Sequence, residues 1–521
     1  MTGRKVDVVL INPGDRKQIY QDLATNISAI EPPFWVAVLA AFLRNKGFGV
    51  EIIDANAGNI SPEEVSNIVN EIKPYLSAVI VYGSQPSAST QNMTIAGKIC
   101  NALKNNTSSK VVAGGLHPSA LPKRTLEEEN IDFVIEGEGF YTLKSLIEAL
   151  RMPTGDFSSI PGLWYFDNGT IRNNPKASLI KNLDEVLPVA AWDMLPMEKY
   201  IAHNWHCFDN IDNRMPYGAI YTSLGCPYSC VFCCINVPFG KPGIRYRDPE
   251  LVVEEIGLLV RNYGIKNIKI IDELFVLQEE HYMSIVDLLI ESGYDLNIWV
   301  YARVDTVKHV HLQKMKKAGI NWLALGIESA NPDVRDGASK KMRVNDIKKI
   351  VRIIQEAGIR VIGNYIFGLP EDTNETMKET LDMAIDLNCE FANFYSAMAY
   401  PGSKLYDIAV KEGWELPREW HGYSQHSYET LPLSTNYLSA REVLKFRDDA
   451  FHKYFENQKY LSMIENKFGN KVKEYVQEMT KTRLKRKILD EENSSKLKDN
   501  KMVIYGSFSG LDNNQNRIPQ T

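Results

Sequence analysis

Apolar and polar positions along the chain follow two alternating periods. From Lys5 to about Leu150, short runs that are apolar almost throughout (VDVVLIN, VEIID, AVIVYG, KVVAGG, DFVIEGEG) alternate with segments such as PFWVAVLAAFLRNKG and PEEVSNIVNEIK, whose apolar residues recur at helical spacing. Runs apolar on both faces suit parallel strands covered by crossover helices. Residues 1–150 therefore predict an α/β, doubly wound (Rossmann-like) domain with five strands. Ligands of such sheets lie at the carboxyl ends of the strands. The loops there are Asn12-Pro13-Gly14, Asp54-Ala55-Asn56, Gly83-Ser84-Gln85-Pro86, Gly114-Gly115-Leu116-His117-Pro118 and Glu136-Gly137-Glu138-Gly139. Small, polar and turn-forming, they let backbone approach a flat cofactor.

Residues 151–217 read as a connector containing a hairpin, GLWYFDNGTIRNN, with Asn168-Gly169 at its turn. The strand-helix alternation then restarts, with strands expected at Ala219–Leu224, Asn267–Ile271, Asn297–Ala302, Trp322–Gly326, Val361–Phe367 and Asn393–Met398. Six such units over 218–430 predict a partial (β/α)6 TIM-type barrel with its chemistry at the C-terminal strand ends. Residues 431–521 read as a charged helical region. In it KTRLKRKILDEE is expected to be a solvated helix and DNNQNRIPQT a frayed tail.

Composition narrows the class. The 521 residues carry 24% charged side chains and a formal net charge of -6, a balance that argues against a general nucleic-acid binder. The N-terminal run is too short for a signal peptide, and no stretch approaches the ~18 apolar residues of a membrane span. A cytoplasmic protein is expected. There, seven cysteines with four of them clustered point to metal or catalysis rather than disulfides.

The cluster is GCPYSCVFCC, with Cys226, Cys230 and Cys233 spaced C-x-x-x-C-x-x-C on the loop after the first barrel strand. Thiolates at this spacing converge on zinc or on an iron-sulfur cluster. A closed zinc site needs a fourth ligand, and Cys234, directly following Cys233, is poorly placed to supply it. Three thiolates on a 4Fe-4S cluster leave one iron open to a reactant. For the first domain, a dinucleotide is disfavoured because NPGDRKQ lacks G-x-G-x-x-G, although Asp54 ends the second strand where a ribose ligand could sit.

In this barrel context the chain resembles the radical S-adenosylmethionine (radical SAM) superfamily. The first domain, with GGLHPSALP and EGEGFYTL, resembles that superfamily's cobalamin-binding branch. The resemblance implies three cofactors: a 4Fe-4S cluster on Cys226, Cys230 and Cys233, S-adenosylmethionine, and cobalamin. For S-adenosylmethionine it implies contacts from Phe232, Glu273 (in IIDELF, with Asp272 beside it), Arg303 (YARVDT), Glu328 (GIESA), and Ile366 and Gly368 (NYIFGLPEDT). For cobalamin it implies Ser84, Gln85, Gly114, Gly115, His117, Pro118, Gly137, Glu138 and Gly139. The D-x-H-x-x-G motif that supplies an axial histidine elsewhere is absent, so His117 is expected to hydrogen-bond within its loop rather than to ligate cobalt.

The activity so implied is that of a radical SAM enzyme: reductive cleavage of S-adenosylmethionine at the cluster, with cobalamin carrying a methyl group to an unactivated carbon. The substrate is a small or natural-product-type molecule, and the electron donor a flavodoxin or ferredoxin. The same branch includes anaerobic porphyrin cyclases, a second reading. Methylthio transfer fits less well, because the first domain holds Cys100 alone instead of a cysteine trio. From another class, a zinc-stapled binding module without catalysis remains the alternative. Cys100 and Cys389 read as small core residues, and Cys207 and Cys234 are left unassigned.

Overall fold

Val8, Val9, Leu10 and Ile11 are all fully enclosed, because the strand they form lies inside a sheet covered on both faces. Val8 and Leu10 enter one hydrophobic core and Val9 and Ile11 another. The computed structural model describes residues 5–83, 86–153, 155–187, 189–338 and 344–490. The expectations for Ser84, Gln85 and the tail beyond 490 lie outside those residues.

The first sheet contains β1 (Val8–Asn12), β2 (Val50–Asp54), β3 (Leu76–Val81), β4 (Lys110–Gly115), β5 (Phe133–Ile135), β6 (Leu163–Asp167) and β7 (Thr170–Asn173), in the order β2-β1-β3-β4-β5-β6-β7. β1 to β5 are parallel, and the hairpin β6–β7 adds antiparallel to β5. Asn168 and Gly169 both take positive φ, 50° and 79°, as a two-residue hairpin turn requires. The hairpin read as part of a connector thus closes the edge that β5 would otherwise expose.

The second sheet holds β8 (Tyr217–Ile220), β11 (Asn267–Ile270), β12 (Asn297–Arg303), β13 (Ile320–Glu328), β14 (Arg360–Phe367) and β15 (Phe391–Ser396), all parallel in sequential order. The stretch expected as one strand over Ala219–Leu224 is split. After β8 the chain turns, and β9 (Ser223–Leu224) pairs antiparallel with β10 (Arg245–Tyr246). Asp272 causes the break: its carboxylate accepts from Thr222 N (2.6 Å), Thr222 Oγ1 (2.5 Å) and Ser223 Oγ (2.6 Å), holding that segment against the end of β11.

The segment between the sheets belongs partly to each. Glu255, fully buried on the helix Pro249–Tyr263, accepts from Ala190 N and Trp192 Nε1 (both 2.9 Å) and pairs with Arg247 Nη1 at 2.8 Å. Further ties cross directly: Tyr200 Oη donates to Asp54 (2.8 Å), and the enclosed Lys269 of β11 pairs with Glu31 (2.9 Å). After the second sheet come the helix Lys404–Glu412 and then the helices Ala440–Phe455, Gln458–Phe468 and Asn470–Met479.

The expected solvated helix at KTRLKRKILDEE is a correction. Arg486 is 1% exposed, bonding Asp448 (2.8 Å), Thr430 Oγ1 (2.9 Å) and the Gln425 and Ser427 carbonyls (3.0 Å each). Within the described residues no helix is long and apolar enough to cross a membrane.

Candidate active site

The cysteine loop leaves β9 through Gly225, at φ +93°, where a Cβ would meet the Gly243 carbonyl at 2.5 Å. Asn236 pins the loop from inside. Its Oδ1 accepts from Cys226 N and its Nδ2 donates to the Tyr228 carbonyl, both at 3.1 Å. Cys233 N donates to the Cys230 carbonyl at 3.1 Å. The three thiols line one cavity together with Phe232, Glu273, Arg303, Glu328 and Ile366. That brings together eight expected residues from four strand ends and the loop.

All three cysteines are free, and each thiol lies within electrostatic range of the others. Burial pushes Cys226 up to about 11 and Cys233 up to about 12, so their ionisation calls for a cationic centre to receive the thiolates. Among the described residues no group of three or more His, Cys, Asp and Glu side chains is arranged to hold a single metal ion. The donor chemistry of three cavity-lining thiols without a fourth suits a cluster with one open corner, since Cys234 is 2% exposed and packed into the core.

The two acids after β11 divide their work. Asp272 is spent on Thr222 and Ser223, whereas Glu273 Oε2 is buried at the cavity with no hydrogen-bond partner. Burial pushes the Glu273 carboxyl up to about 8. An unpaired acceptor beside the thiols fits the ammonium group of S-adenosylmethionine. Arg303 stacks over the Tyr228 ring at 4.0 Å and pairs through Nε with Asp305 at 2.9 Å, which fixes its guanidinium at the rim. Glu328 takes φ +65°, at a register shift where β13 meets β14. A non-glycine there is strained, and the strain turns its side chain to the cavity. Gly368 does not line the cavity; at φ +80° it makes room for Val443, which a Cβ would meet at 2.5 Å.

A second cavity, of about 330 Å³, lies between the two sheets beside the cysteine cavity of about 320 Å³. The first domain contributes Asn12, Pro13, Asn56, Tyr82 and Gly83 from the ends of β1, β2 and β3. Ile271, Tyr301, Asn364, Tyr395 and Gln425 line both cavities and form a shared wall. Gln425 is held there by Ser396, whose N and Oγ each donate to its Oε1 at 2.9 Å.

The expected GGLHP and EGEG residues lie away from this cavity's lining. Gly115, φ +129°, would put a Cβ 2.2 Å from the Val81 carbonyl, so β3 and β4 require glycine there. Gly114 faces Ile135 and Ile80, and Pro118 is buried in the short helix Leu116–Ala120. His117 is 1% exposed, its Nδ1 3.2 Å from Thr90 Oγ1 and its ring edge-on to Trp420 at 4.4 Å. That bond ties it to the helix Pro86–Gln91 rather than to a group of its own loop. Gly137 N donates to Ser119 Oγ (3.0 Å), and Gly139, φ +88°, caps the helix Phe140–Arg151. Glu138 pairs with Arg245 of β10 at 2.9 Å and accepts from Ile180 N at 3.0 Å, tying the first domain to the β9–β10 pair and to the connecting segment. Sequence reasoning missed Tyr228, Asn236, Tyr395 and Gln425. Asn236, just past the cysteines, was within reach as a polar residue in an otherwise apolar stretch.

Burial depresses His117 to about 3, and this sets a pH dependence. In the unfolded chain the imidazole gains a proton below about 6.5, while in the folded protein it stays neutral down to about 3. The unfolded state then binds more protons, so stability is lost as pH falls through that window. Urea titrations are expected to show about 2 kcal/mol less stability from this group at pH 5 than at pH 7. H117Q should reduce that loss.

Comparison with known proteins follows the same division. The Radical SAM superfamily matches residues 220–384 and the B12 binding domain matches residues 20–147. An uncharacterized methyltransferase of Pyrococcus horikoshii is 32% identical over 395 residues, 75% of this chain and 82% of its own length. The anaerobic magnesium-protoporphyrin IX monomethyl ester cyclase of Cereibacter sphaeroides is 26% identical over 448 residues, 84% of this chain and 68% of its own. Among solved structures, the radical S-adenosylmethionine methyltransferase TsrM from Kitasatospora setae, with cobalamin and a [4Fe-4S] cluster bound, shares the fold. Its TM-score is 0.65 at 19% identity, over 87% of this chain and 89% of that one. With the thiol-lined cavity at the barrel mouth and a cofactor shelf facing it, the chain belongs to the cobalamin-binding radical SAM family of enzymes, whose cofactors are a 4Fe-4S cluster, S-adenosylmethionine and cobalamin.

Proposed function

We propose that this enzyme transfers a methyl group to an unactivated carbon of a small-molecule substrate held between the two cavities. The observation that carries this reading is their shared wall: five residues separate the thiol-lined cavity from the one facing the first domain. A substrate at that wall would be reached from both sides without moving, which is the proximity a two-cofactor reaction needs. When bound, the cluster and cobalamin supply reductive cleavage of S-adenosylmethionine and a methyl carrier.

This chain's residues do the rest. Cys226, Cys230 and Cys233 would hold the cluster. Glu273 would receive the ammonium group of S-adenosylmethionine, and Arg303, Glu328, Phe232 and Ile366 would bound the rest of it. Asn364 and Gln425 would orient the substrate. Asn364 is fixed by bonds to the Leu325 carbonyl (3.2 Å) and from Asn393 (2.9 Å), so its amide keeps one direction. The methyltransferase name of the Pyrococcus relative supports the choice of reaction. An electron donor of the flavodoxin or ferredoxin type completes the system.

The test is anaerobic turnover of reconstituted protein with methyl-labelled S-adenosylmethionine and a small-molecule fraction from its source. A labelled product that requires cobalamin is expected. An unlabelled, oxidised or cyclised product would instead favour the cyclase reading, which the Cereibacter relative supports. Protein that binds no cobalamin at all would end both. For Glu273, E273Q keeps the shape and removes the charge. Equilibrium dialysis should show S-adenosylmethionine binding weakened about tenfold or more, with iron content unchanged.

A further inference from the structure

The cavity facing the first domain has an unusual lining. Four side-chain atoms on its wall are buried without a hydrogen-bond partner: Arg16 Nε, Trp35 Nε1, Asn92 Oδ1 and His426 Nδ1. Buried polar groups are almost always paired, so four orphans around one cavity call for a ligand that pairs them. Trp35 is the clearest. It is 6% exposed, tilted against the Tyr82 ring at 4.3 Å, and its indole N–H makes no aligned hydrogen bond. The Tyr221 phenol is close enough to the indole N–H to feel it as a donor, but the two are not aligned into a directional hydrogen bond.

The four residues come from separate elements. Arg16 opens the helix Arg16–Tyr20, Trp35 sits at the head of the helix Phe34–Asn45, Asn92 precedes the helix Met93–Asn106, and His426 lies in the loop after the barrel. Two of them are anchored through another atom. Arg16 Nη2 donates to the Ala24 carbonyl and to Ser28 Oγ, both at 2.7 Å, and Asn92 Nδ2 donates to the Ala88 carbonyl at 2.8 Å. Arg16 and Asn92 are therefore held in place with one atom to spare.

The chemistry of the set selects the ligand. Arg16 and Trp35 offer donors, Asn92 an acceptor, and His426 a ring nitrogen able to serve as either. Carboxylates or phosphates would satisfy the donors but leave Asn92 Oδ1 without a proton, and would face Glu31 on the same wall. Primary amides carry both a carbonyl and N–H groups. Spread around the rim of a flat macrocycle, they would meet donors and acceptors on different elements at once.

We propose that Trp35, Arg16, Asn92 and His426 form the rim that recognises the primary amides at the periphery of a corrinoid, and so select the fully amidated form. This rests on the family reading above and adds which residues read the ligand and by what groups.

The experiment is an absorbance titration of the substrate-free protein with hydroxocobalamin and with a corrinoid carrying free carboxylates in place of the rim amides. Unmodified protein is expected to bind hydroxocobalamin at least tenfold more tightly. W35F, which keeps an aromatic ring and loses the N–H, and H426F should each weaken hydroxocobalamin binding about threefold to tenfold. In the cofactor-free protein H426F, which replaces the ring bearing the unpartnered Nδ1 with an apolar one, should leave the melting temperature unchanged or raise it. Loss of an internal contact would lower it.

Equal affinity of both variants for hydroxocobalamin, or equal affinity of unmodified protein for the two corrinoids, overturns the proposal and leaves the family assignment standing. Failure of unmodified protein to bind either corrinoid overturns the assignment itself. If W35F does not fold, the H426F arm decides.

Discussion

Replacing Cys226, Cys230 or Cys233 with alanine, one at a time, is expected to abolish S-adenosylmethionine cleavage, measured as 5′-deoxyadenosine released under anaerobic reducing conditions. The reason lies in the count of ligands. Three thiols line the cavity, and a cluster held by three has none to spare. Alanine removes a ligand outright, and Cys234 cannot take over because its side chain is packed into the core. Iron and sulfide content should fall with activity in each variant. C234A is the control: it trims a buried sulfur, costs about 1 kcal/mol of packing, and should keep its iron. Cleavage persisting at the unmodified rate in any one of the three would remove that cysteine from the site.

The largest expected loss of stability is from E255A. Glu255 and Arg247 are 0% and 1% exposed, and the same carboxylate accepts from Ala190 N and Trp192 Nε1. Removing it strands a buried guanidinium and two buried donors together. Breaking such a pair from one side costs about 3–5 kcal/mol, whereas an exposed pair is worth about 1 kcal/mol or less. Denaturant unfolding should show the larger figure for E255A, and R44A, at the exposed Arg44–Asp193 pair, serves as the small-effect comparison. A loss under 1 kcal/mol for E255A would mean the buried pair relaxes into water when broken.

What was legible in the sequence follows from which forces act locally. Val8 to Ile11 announce their strand because enclosure on both faces demands apolar residues throughout. The cysteines announce theirs because ligation needs fixed short spacing, and Glu273, Arg303 and Glu328 follow from standing just past or at the ends of strands. The wall between the cavities was not legible. Gln425 lies in an irregular loop far from the cysteines along the chain, and only the Ser396 bonds bring it in. Arg486 misled for a similar reason: interleaved charges look solvated until Asp448, from a distant helix, is known to receive one of them. The GGLHP loop suggested a cofactor contact, yet Gly115 answers to the Val81 carbonyl and His117 to Thr90 and Trp420. Nothing periodic around Trp420 signals that it folds back over that loop. Asn12, Asn56 and Gly83, on strand-end loops, do reach the cavity as their positions suggested.

The hairpin that finishes the first sheet and the 190s segment gripped by Glu255 make the middle of the chain part of the packing on both sides rather than a bare tether. Evolution or an engineer swapping the front module of such an enzyme for another would have to carry this middle portion along and recut its grip on the barrel. A graft joined just after Arg151 would arrive with a raw sheet edge and no fixed gap between its two halves.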